Sequence, residues 1–170
     1  MNLKEAIRNF PNFPNEGIIF RDITSILKNP AYLNEALTQM ENLLENVEYD
    51  VIVSPESRGF IFGVPIAARQ NKAFVPARKK GKLPGETLSK SYSLEYGEDV
   101  IQIHKDDILA GQKVVIIDDL LATGGTVSAV CDIVEQMGAS VAAAVFLIEL
   151  IELNGADVLK KYTTKSIIRY

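Results

Sequence analysis

The stretch Val114-Val115-Ile116-Ile117-Asp118-Asp119-Leu120-Leu121-Ala122-Thr123-Gly124-Gly125-Thr126 decides how the chain is read. Four consecutive β-branched apolar residues form a strand covered on both faces, as in a parallel α/β sheet. Gly124-Gly125 breaks the strand pattern, and Val127, Val130, Val134 and Met137 resume at helical spacing, so a loop feeds a helix N-terminus. Such a loop is an anion site. Glycines let several backbone N–H groups point at one phosphate, the helix dipole favours negative charge, and Thr123 and Thr126 add hydroxyl donors. The two carboxylates would repel that phosphate and must face another part of the ligand. An ionised carboxylate only accepts hydrogen bonds, which suits a vicinal diol. Phosphate plus diol is a ribose 5-phosphate.

Other phosphate motifs fit less well. A Walker loop needs Gly-Lys-Ser/Thr and a dinucleotide fold needs spaced glycines after its strand, and neither is present. Adjacent aspartates after a strand also occur as magnesium ligands, and a glycine pair can be a plain turn. Strand, acidic pair, hydroxyl-flanked glycines and helix in one unbroken order favour the phosphate-and-diol reading.

Outward from this stretch, strand and helix alternate. Asn29 caps and Pro30 opens a helix with Leu33, Leu37, Met40, Leu44 and Val47 on one stripe. Val51-Ile52-Val53 is a buried strand leading into Ser54-Pro55-Glu56-Ser57-Arg58-Gly59, and a helix follows with Phe60, Ile61, Val64 and Ala67 or Ala68 inward and Pro65 poorly tolerated. Ala73–Val75, Lys113–Ile117 and Val141–Leu147 are further strands. This order predicts a single α/β domain over 1–170, a doubly wound, mostly parallel sheet with right-handed crossovers. Ligands bind such sheets at the carboxyl ends of the strands, so the loops after Val53, Val75 and Ile117 should meet at one cleft. The run Arg78-Lys79-Lys80-Gly81-Lys82-Leu83-Pro84-Gly85 has charge but no core periodicity and reads as a mobile binding loop. Alternation at Tyr92, Leu94, Tyr96 and at Val100, Ile101, Ile103 gives a two-stranded excursion beyond it.

Length and composition bound the function. With 170 residues, 47% hydrophobic and 24% charged, the chain supports one substantial core. A net charge of −4 argues against a general nucleic-acid or membrane-surface role. Cys131, the single cysteine, falls near the apolar stripe of its helix and reads as a buried thiol in a reducing compartment. Lys4, Glu5 and Arg8 exclude a signal-peptide reading, and Val141–Ile148 is too short to span a bilayer. A cytoplasmic protein is expected.

Two further constellations carry charge. Arg58, at a strand's carboxyl end, suits a diphosphate through its planar fork, but an arginine at a helix start also pairs with neighbouring acids, and the residues alone leave both readings open. The basic run 78–82, interrupted by Gly81, Pro84 and Gly85, suits a phosphate-closing lid, with Arg78 and Lys82 as neutralising charges; a solvated surface is the plain alternative. His104, the only histidine, has no triad partner and reads as structural or surface, and Asp106-Asp107 as a helix-start cap.

The stretch Val114–Thr126 resembles the phosphoribosyl diphosphate motif of the type I phosphoribosyltransferases. Three more segments make the resemblance specific to the adenine-using members over essentially the whole chain: Phe10-Pro11-Asn12-Phe13-Pro14 with Gly17-Ile18-Ile19-Phe20-Arg21-Asp22-Ile23-Thr24, then Glu56 to Phe60, then Ser91-Tyr92-Ser93-Leu94-Glu95-Tyr96-Gly97. The resemblance implies transfer of the 5-phosphoribosyl group from phosphoribosyl diphosphate to N9 of adenine, giving AMP and diphosphate for purine salvage. It implies a hood at 1–28 over the base, with Phe20 stacking and the backbone at Ile19 and Arg21 reading the base edge; without it Phe20 is a core aromatic. It implies a lid with flanking strands at 78–98, Tyr96 closing it and Glu95 handling base protons.

By the same resemblance Asp118 and Asp119 hold the ribose and stabilise charge at its C1, Ala122, Thr123, Gly124, Gly125 and Thr126 hold its 5-phosphate, and Glu56, Ser57, Arg58, Arg78 and Lys82 serve the diphosphate. Arg58 counts with the catalytic group, and a cis peptide would fall at Glu56-Ser57. Magnesium would be carried mainly by substrate oxygens, with no direct protein ligands, and the protein would be a homodimer. Ser25 stands where a proline is common and Asn154-Gly155-Ala156 where Gly-Arg is usual, neither at an expected ligand contact. A 6-oxopurine or xanthine phosphoribosyltransferase, and a non-catalytic phosphoribosyl diphosphate sensor, are the competing readings.

Overall fold

In the computed structural model, which describes residues 2–94 and 97–170, helix α1 (Leu3–Ala6) is capped by Asn2, whose side chain accepts from the Lys4 N–H. An antiparallel hairpin of β1 (Arg8–Pro11) and β2 (Ile19–Asp22) follows, with Phe10 opposite Phe20. Asp22 ties off the hairpin by accepting from the Thr24 N–H and hydroxyl and pairing with Arg8. After α2 (Thr24–Leu27), Asn29 accepts from the Ala31 N–H and Pro30 opens α3 (Pro30–Asn42), as its fixed φ and missing donor favour. The chain continues through β3 (Val51–Pro55), α4 (Arg58–Gln70), β4 (Ala73–Lys79), β5 (Thr87–Leu94), β6 (Gly97–His104), β7 (Lys113–Leu121), α5 (Gly125–Gln136) and β8 (Ser140–Glu149). A 3-10 turn at Ile151–Leu153, α6 (Gly155–Val158) and β9 (Thr164–Arg169) complete it.

Seven strands form one sheet in the order β5-β6-β4-β3-β7-β8-β9, with β4, β3, β7, β8 and β9 parallel and β6 and β5 antiparallel at one edge. The mixed α/β architecture with a mostly parallel sheet is the one expected. Alternation along β7 feeds both faces. Val115 and Ile117 pack with Met40, Phe62 and Ile66 from α3 and α4, whereas Val114 and Ile116 pack with Val127, Val130 and Val134 from α5. Cys131 is fully buried there, and burial pushes its thiol up to about 12. Among the described residues no helix is long and apolar enough to cross a membrane.

Several expectations are corrected. The inward face of α4 is Gly59, Phe62, Gly63, Ile66 and Ala67, while Ile61 and Val64 are exposed. The helix lies so close to the sheet that a Cβ on Gly63 would sit 2.1 Å from Ser54 Oγ, so its contact face carries small residues that an apolar stripe does not reveal. Arg78 and Lys79 belong to β4, paired with Gln102 and Ile101, and the irregular connection shortens to 80–86. No helix follows Asp106-Asp107. Asp107 instead faces His104 Nδ1 at 3.3 Å, and the other ring nitrogen reaches the Pro84 carbonyl at 2.9 Å, so His104 fastens that connection to β6. β9 is an additional strand, and Asp118 and Asp119 lie within β7 rather than after it.

Candidate active site

β7 ends in Asp118-Asp119-Leu120-Leu121, and the chain turns through Ala122-Thr123-Gly124 into α5. Gly124 makes the turn at φ +83, a left-handed conformation that glycine adopts without steric cost. The first N–H groups of α5 lack partners within the helix and open toward the turn. Two cavities flank this segment. A polar one of about 530 Å³ is lined by Pro55, Glu56, Ser57, Arg58, Lys79, Tyr92, Asp118, Asp119, Leu120 and Thr126. A more apolar one of about 670 Å³ is lined by Gly17, Ile18, Ile19, Arg21, Ala122, Thr123, Leu150, Glu152, Leu153 and Tyr170.

In the polar cavity the Glu56-Ser57 peptide is cis and turns the chain from β3 into α4. α4 starts against β7: a Cβ on Gly59 would lie 2.9 Å from Asp118 Oδ1, so the missing side chain lets the Arg58 end approach the two aspartates. Arg58 Nε lies 3.0 Å from Asp119 Oδ2, yet off hydrogen-bond alignment, which leaves that buried oxygen without a hydrogen-bond partner among the described residues. Asp118 Oδ1 accepts from the Asp119 N–H at 2.9 Å. Burial pushes both carboxyls above the usual range; repulsion from Asp119 adds to the rise at Asp118, and the Arg58 charge opposes it at Asp119. Across the cavity the Lys79 ammonium sits 3.0 Å from Asp99, which raises the lysine pKa and lowers the aspartate's. Glu56 accepts from the Lys79 N–H at 2.6 Å and lies 3.3 Å from Arg78 Nε, so Arg78 is engaged in holding the Glu56 turn to the end of β4.

The structure thus brings together Glu56, Ser57, Arg58, Asp118, Asp119 and Thr126 around one cavity, and Ile19, Arg21, Ala122 and Thr123 around the other. Gly124 and Gly125 form the turn between them. Phe20, on the opposite side of β2 from Ile19 and Arg21, stands edge-on to Phe13 with ring centres 5.3 Å apart, and the Arg58 guanidinium lies 5.9 Å from its ring. Arg78 and Lys82 line neither cavity, and Lys82 is exposed on the 80–86 connection. Glu95 and Tyr96 lie outside the described residues.

Sequence reasoning missed Lys79, Tyr92, Leu150 and Tyr170. Lys79 was within reach, because the last residue of a parallel strand points into the cleft at its carboxyl end. A Cβ on Gly155 would lie 2.2 Å from the Ala122 carbonyl oxygen, so α6 packs directly on the turn that follows β7. The Ser25 hydroxyl donates to the Asp22 carbonyl at 2.9 Å.

Comparison with known proteins agrees with this geometry. Residues 22–168 match the phosphoribosyl transferase domain. An adenine phosphoribosyltransferase of Lachnoclostridium phytofermentans is 56% identical over 99% of this chain and 97% of its own length. One of Clostridium beijerinckii is 52% identical over 100% and 99%. The crystal structure of the Thermoanaerobacter pseudethanolicus adenine phosphoribosyltransferase superposes with a TM-score of 0.96 at 49% identity, covering 99% of this chain and 98% of that one. The Saccharomyces cerevisiae enzyme, complexed with an imino-altritol bisphosphate and adenine, superposes with a TM-score of 0.89 at 40% identity, covering 98% and 95%. With its strand, glycine turn and flanking cavities on one segment, the chain belongs to the adenine phosphoribosyltransferases, within the phosphoribosyl transferase domain family.

Proposed function

We propose that the protein transfers the 5-phosphoribosyl group of phosphoribosyl diphosphate to N9 of adenine, releasing diphosphate and AMP in purine salvage. The observation that carries this reading is that one polar cavity gathers Arg58, Asp118, Asp119 and Thr126 with the Phe20 ring 5.9 Å from the Arg58 guanidinium, so charge, hydroxyl acceptors and an aromatic face for a neutral base meet at one place. A reaction joining two substrates needs them held at a common edge.

The Thr123–Thr126 turn and the start of α5 receive the 5-phosphate, and Asp118 and Asp119 accept hydrogen bonds from the ribose diol. Asp119 Oδ2, buried and without a hydrogen-bond partner among the described residues, is an acceptor ready for such a donor. Arg58 and Lys79 hold the diphosphate, Lys82 comes over it from the 80–86 connection, and Arg78 fixes Glu56 behind it. As the bond to diphosphate breaks, positive charge develops at C1, and the two carboxylates stabilise it while Arg58 and Lys79 receive the leaving charge. Phe20 stacks on the base while the backbone at Ile19 and Arg21 reads its edge, Glu95 takes the base proton, and Tyr96 closes the lid beside it.

Magnesium fits as a passenger of the substrate: two carboxylates facing a diol and diphosphate suit an ion held mainly by those oxygens. Such an ion supplies charge neutralisation on the diphosphate. The hood and lid assignments of 1–28 and 78–98 belong to the same proposal. So does the homodimer, for which the exposed Ile61 and Val64 on α4 offer apolar surface beside the Glu56 turn.

The test is product formation. Incubation with phosphoribosyl diphosphate, magnesium and adenine should yield AMP and diphosphate in equal amounts. Diphosphate release without AMP would contradict the reading.

A further inference from the structure

Arg58 and Lys79, the two cations that line the polar cavity, each face a carboxylate. Arg58 Nε lies 3.0 Å from Asp119 Oδ2, and the Lys79 ammonium lies 3.0 Å from Asp99 Oδ2. Asp119 belongs to the cavity wall and to the proposed ribose contact. Asp99, on β6, lines neither cavity, so its carboxylate reaches the site only through the lysine.

The two partners of this pair are held differently. Asp99 Oδ1 accepts from the Val100 N–H at 2.8 Å, and Oδ2 also accepts from the Tyr92 hydroxyl at 3.4 Å, Tyr92 being the residue directly opposite on β5. These neutral donors keep the carboxylate satisfied and in place when the ammonium is elsewhere. The Lys79 backbone is fixed where its N–H donates to Glu56 at 2.6 Å, but its side chain is 53% exposed and is a flexible four-carbon stem. The lysine is therefore the partner that moves. An exposed ion pair is weak, and a multiply charged diphosphate attracts an ammonium more strongly than one carboxylate does, so diphosphate in the cavity and Asp99 compete for the same charge.

We infer that Asp99 is a positioning residue acting through Lys79: it is the counter-ion that the lysine leaves when phosphoribosyl diphosphate binds and regains when diphosphate departs, and it thereby limits how tightly the site retains that product. This rests on the reading that Lys79 holds the diphosphate.

Equilibrium titration of the full chain with inorganic diphosphate in the presence of magnesium, beside single-turnover formation of AMP, tests it through Asp99→Asn. Asparagine keeps an oxygen for the Val100 N–H and loses the charge. The variant should bind diphosphate roughly threefold to tenfold more tightly and release it more slowly, with the single-turnover rate within about twofold of wild type. A merely structural role predicts the reverse, because a loosened hairpin weakens binding, so unchanged or weaker affinity overturns the inference. In a Lys79→Gln background the effect of Asp99→Asn should fall below about twofold; undiminished tightening there would be plain repulsion from Asp99 and would also overturn it. If Asp99→Asn does not fold, Asp99→Ser, whose hydroxyl oxygen can accept from the Val100 N–H, carries the same expectations. Lys79→Gln alone should weaken diphosphate binding. Wild-type affinity in that variant overturns the functional reading of Lys79, whereas a weakened Lys79→Gln with an unaffected Asp99→Asn overturns only the role of Asp99.

Discussion

Asp118 and Asp119 are adjacent carboxyls on a strand end, held above the usual carboxylate range by burial, with the Arg58 guanidinium 3.0 Å from Asp119 opposing the rise. Removing their charge should be felt in the chemistry. Asp118→Asn with Asp119→Asn is expected to lower turnover roughly tenfold to a thousandfold, about 1.4–4 kcal/mol of barrier, with the fold intact; near wild-type turnover would remove the ribose from this site. The same burial has the opposite consequence for stability. A carboxyl whose pKa is raised on folding keeps its proton in the folded chain where the unfolded chain has lost it, so its contribution is fully present at acid pH and declines as pH rises from 3.8 through the folded value. Asp118→Asn carries no charge in either state and escapes that decline. Its Tm at neutral pH should exceed the wild type's by roughly 2–4 °C, and the difference should shrink on acidification; a pH-independent difference would contradict the account. For Glu95, the proposed proton acceptor, Glu95→Gln should cut single-turnover rates roughly a hundredfold while phosphoribosyl diphosphate affinity changes only a few-fold. An unchanged chemical step would send the proton to water or to the departing diphosphate.

β5 and β6 form a hairpin whose register runs from Thr87–His104 to Leu94–Gly97, and the 80–86 connection at its base is tied down by Lys80, Gly81 and His104. As a lid, this element should gain protection when substrate binds, since excluding water shields the developing cation from hydrolysis. Hydrogen exchange over 79–89 should slow on addition of phosphoribosyl diphosphate, and identical exchange at saturation would count against a lid. Elements whose signal is local were legible in the sequence: Asn29-Pro30 opens α3 through its own cap and ring, and Val114–Gly125 writes strand, turn and helix in one run. Elements set by distant contact were not. The phase of α4 follows from Gly63 meeting Ser54, the placing of α6 from Gly155 meeting Ala122, and the strand β9 from its pairing with β8. Lys79 was absorbed into a charged loop because its pairing with Ile101 is 22 residues away in the chain.

On the scale of the molecule, the parallel sheet brings the carboxyl ends of its central strands β4, β3 and β7 together, and the hairpin β1–β2 and the segment 150–153 close over the far side of the β7 turn. The polar and apolar cavities therefore share one wall, and the central proposal is that phosphoribosyl diphosphate meets a 6-aminopurine beside Arg58, Asp118 and Asp119. Of the site, the shared wall was readable from residues 114–126 alone, while the apolar cavity needed Leu150 and Tyr170, which no local pattern connects to Ile19. The most direct test is a base panel in which diphosphate release is measured with adenine, hypoxanthine, guanine, xanthine and orotate under identical conditions. Fixed polar groups reading a base edge discriminate strongly, so kcat/KM for adenine should exceed that for every other base by roughly a hundredfold or more. Comparable turnover of hypoxanthine or guanine, or turnover of none of the five, would contradict it.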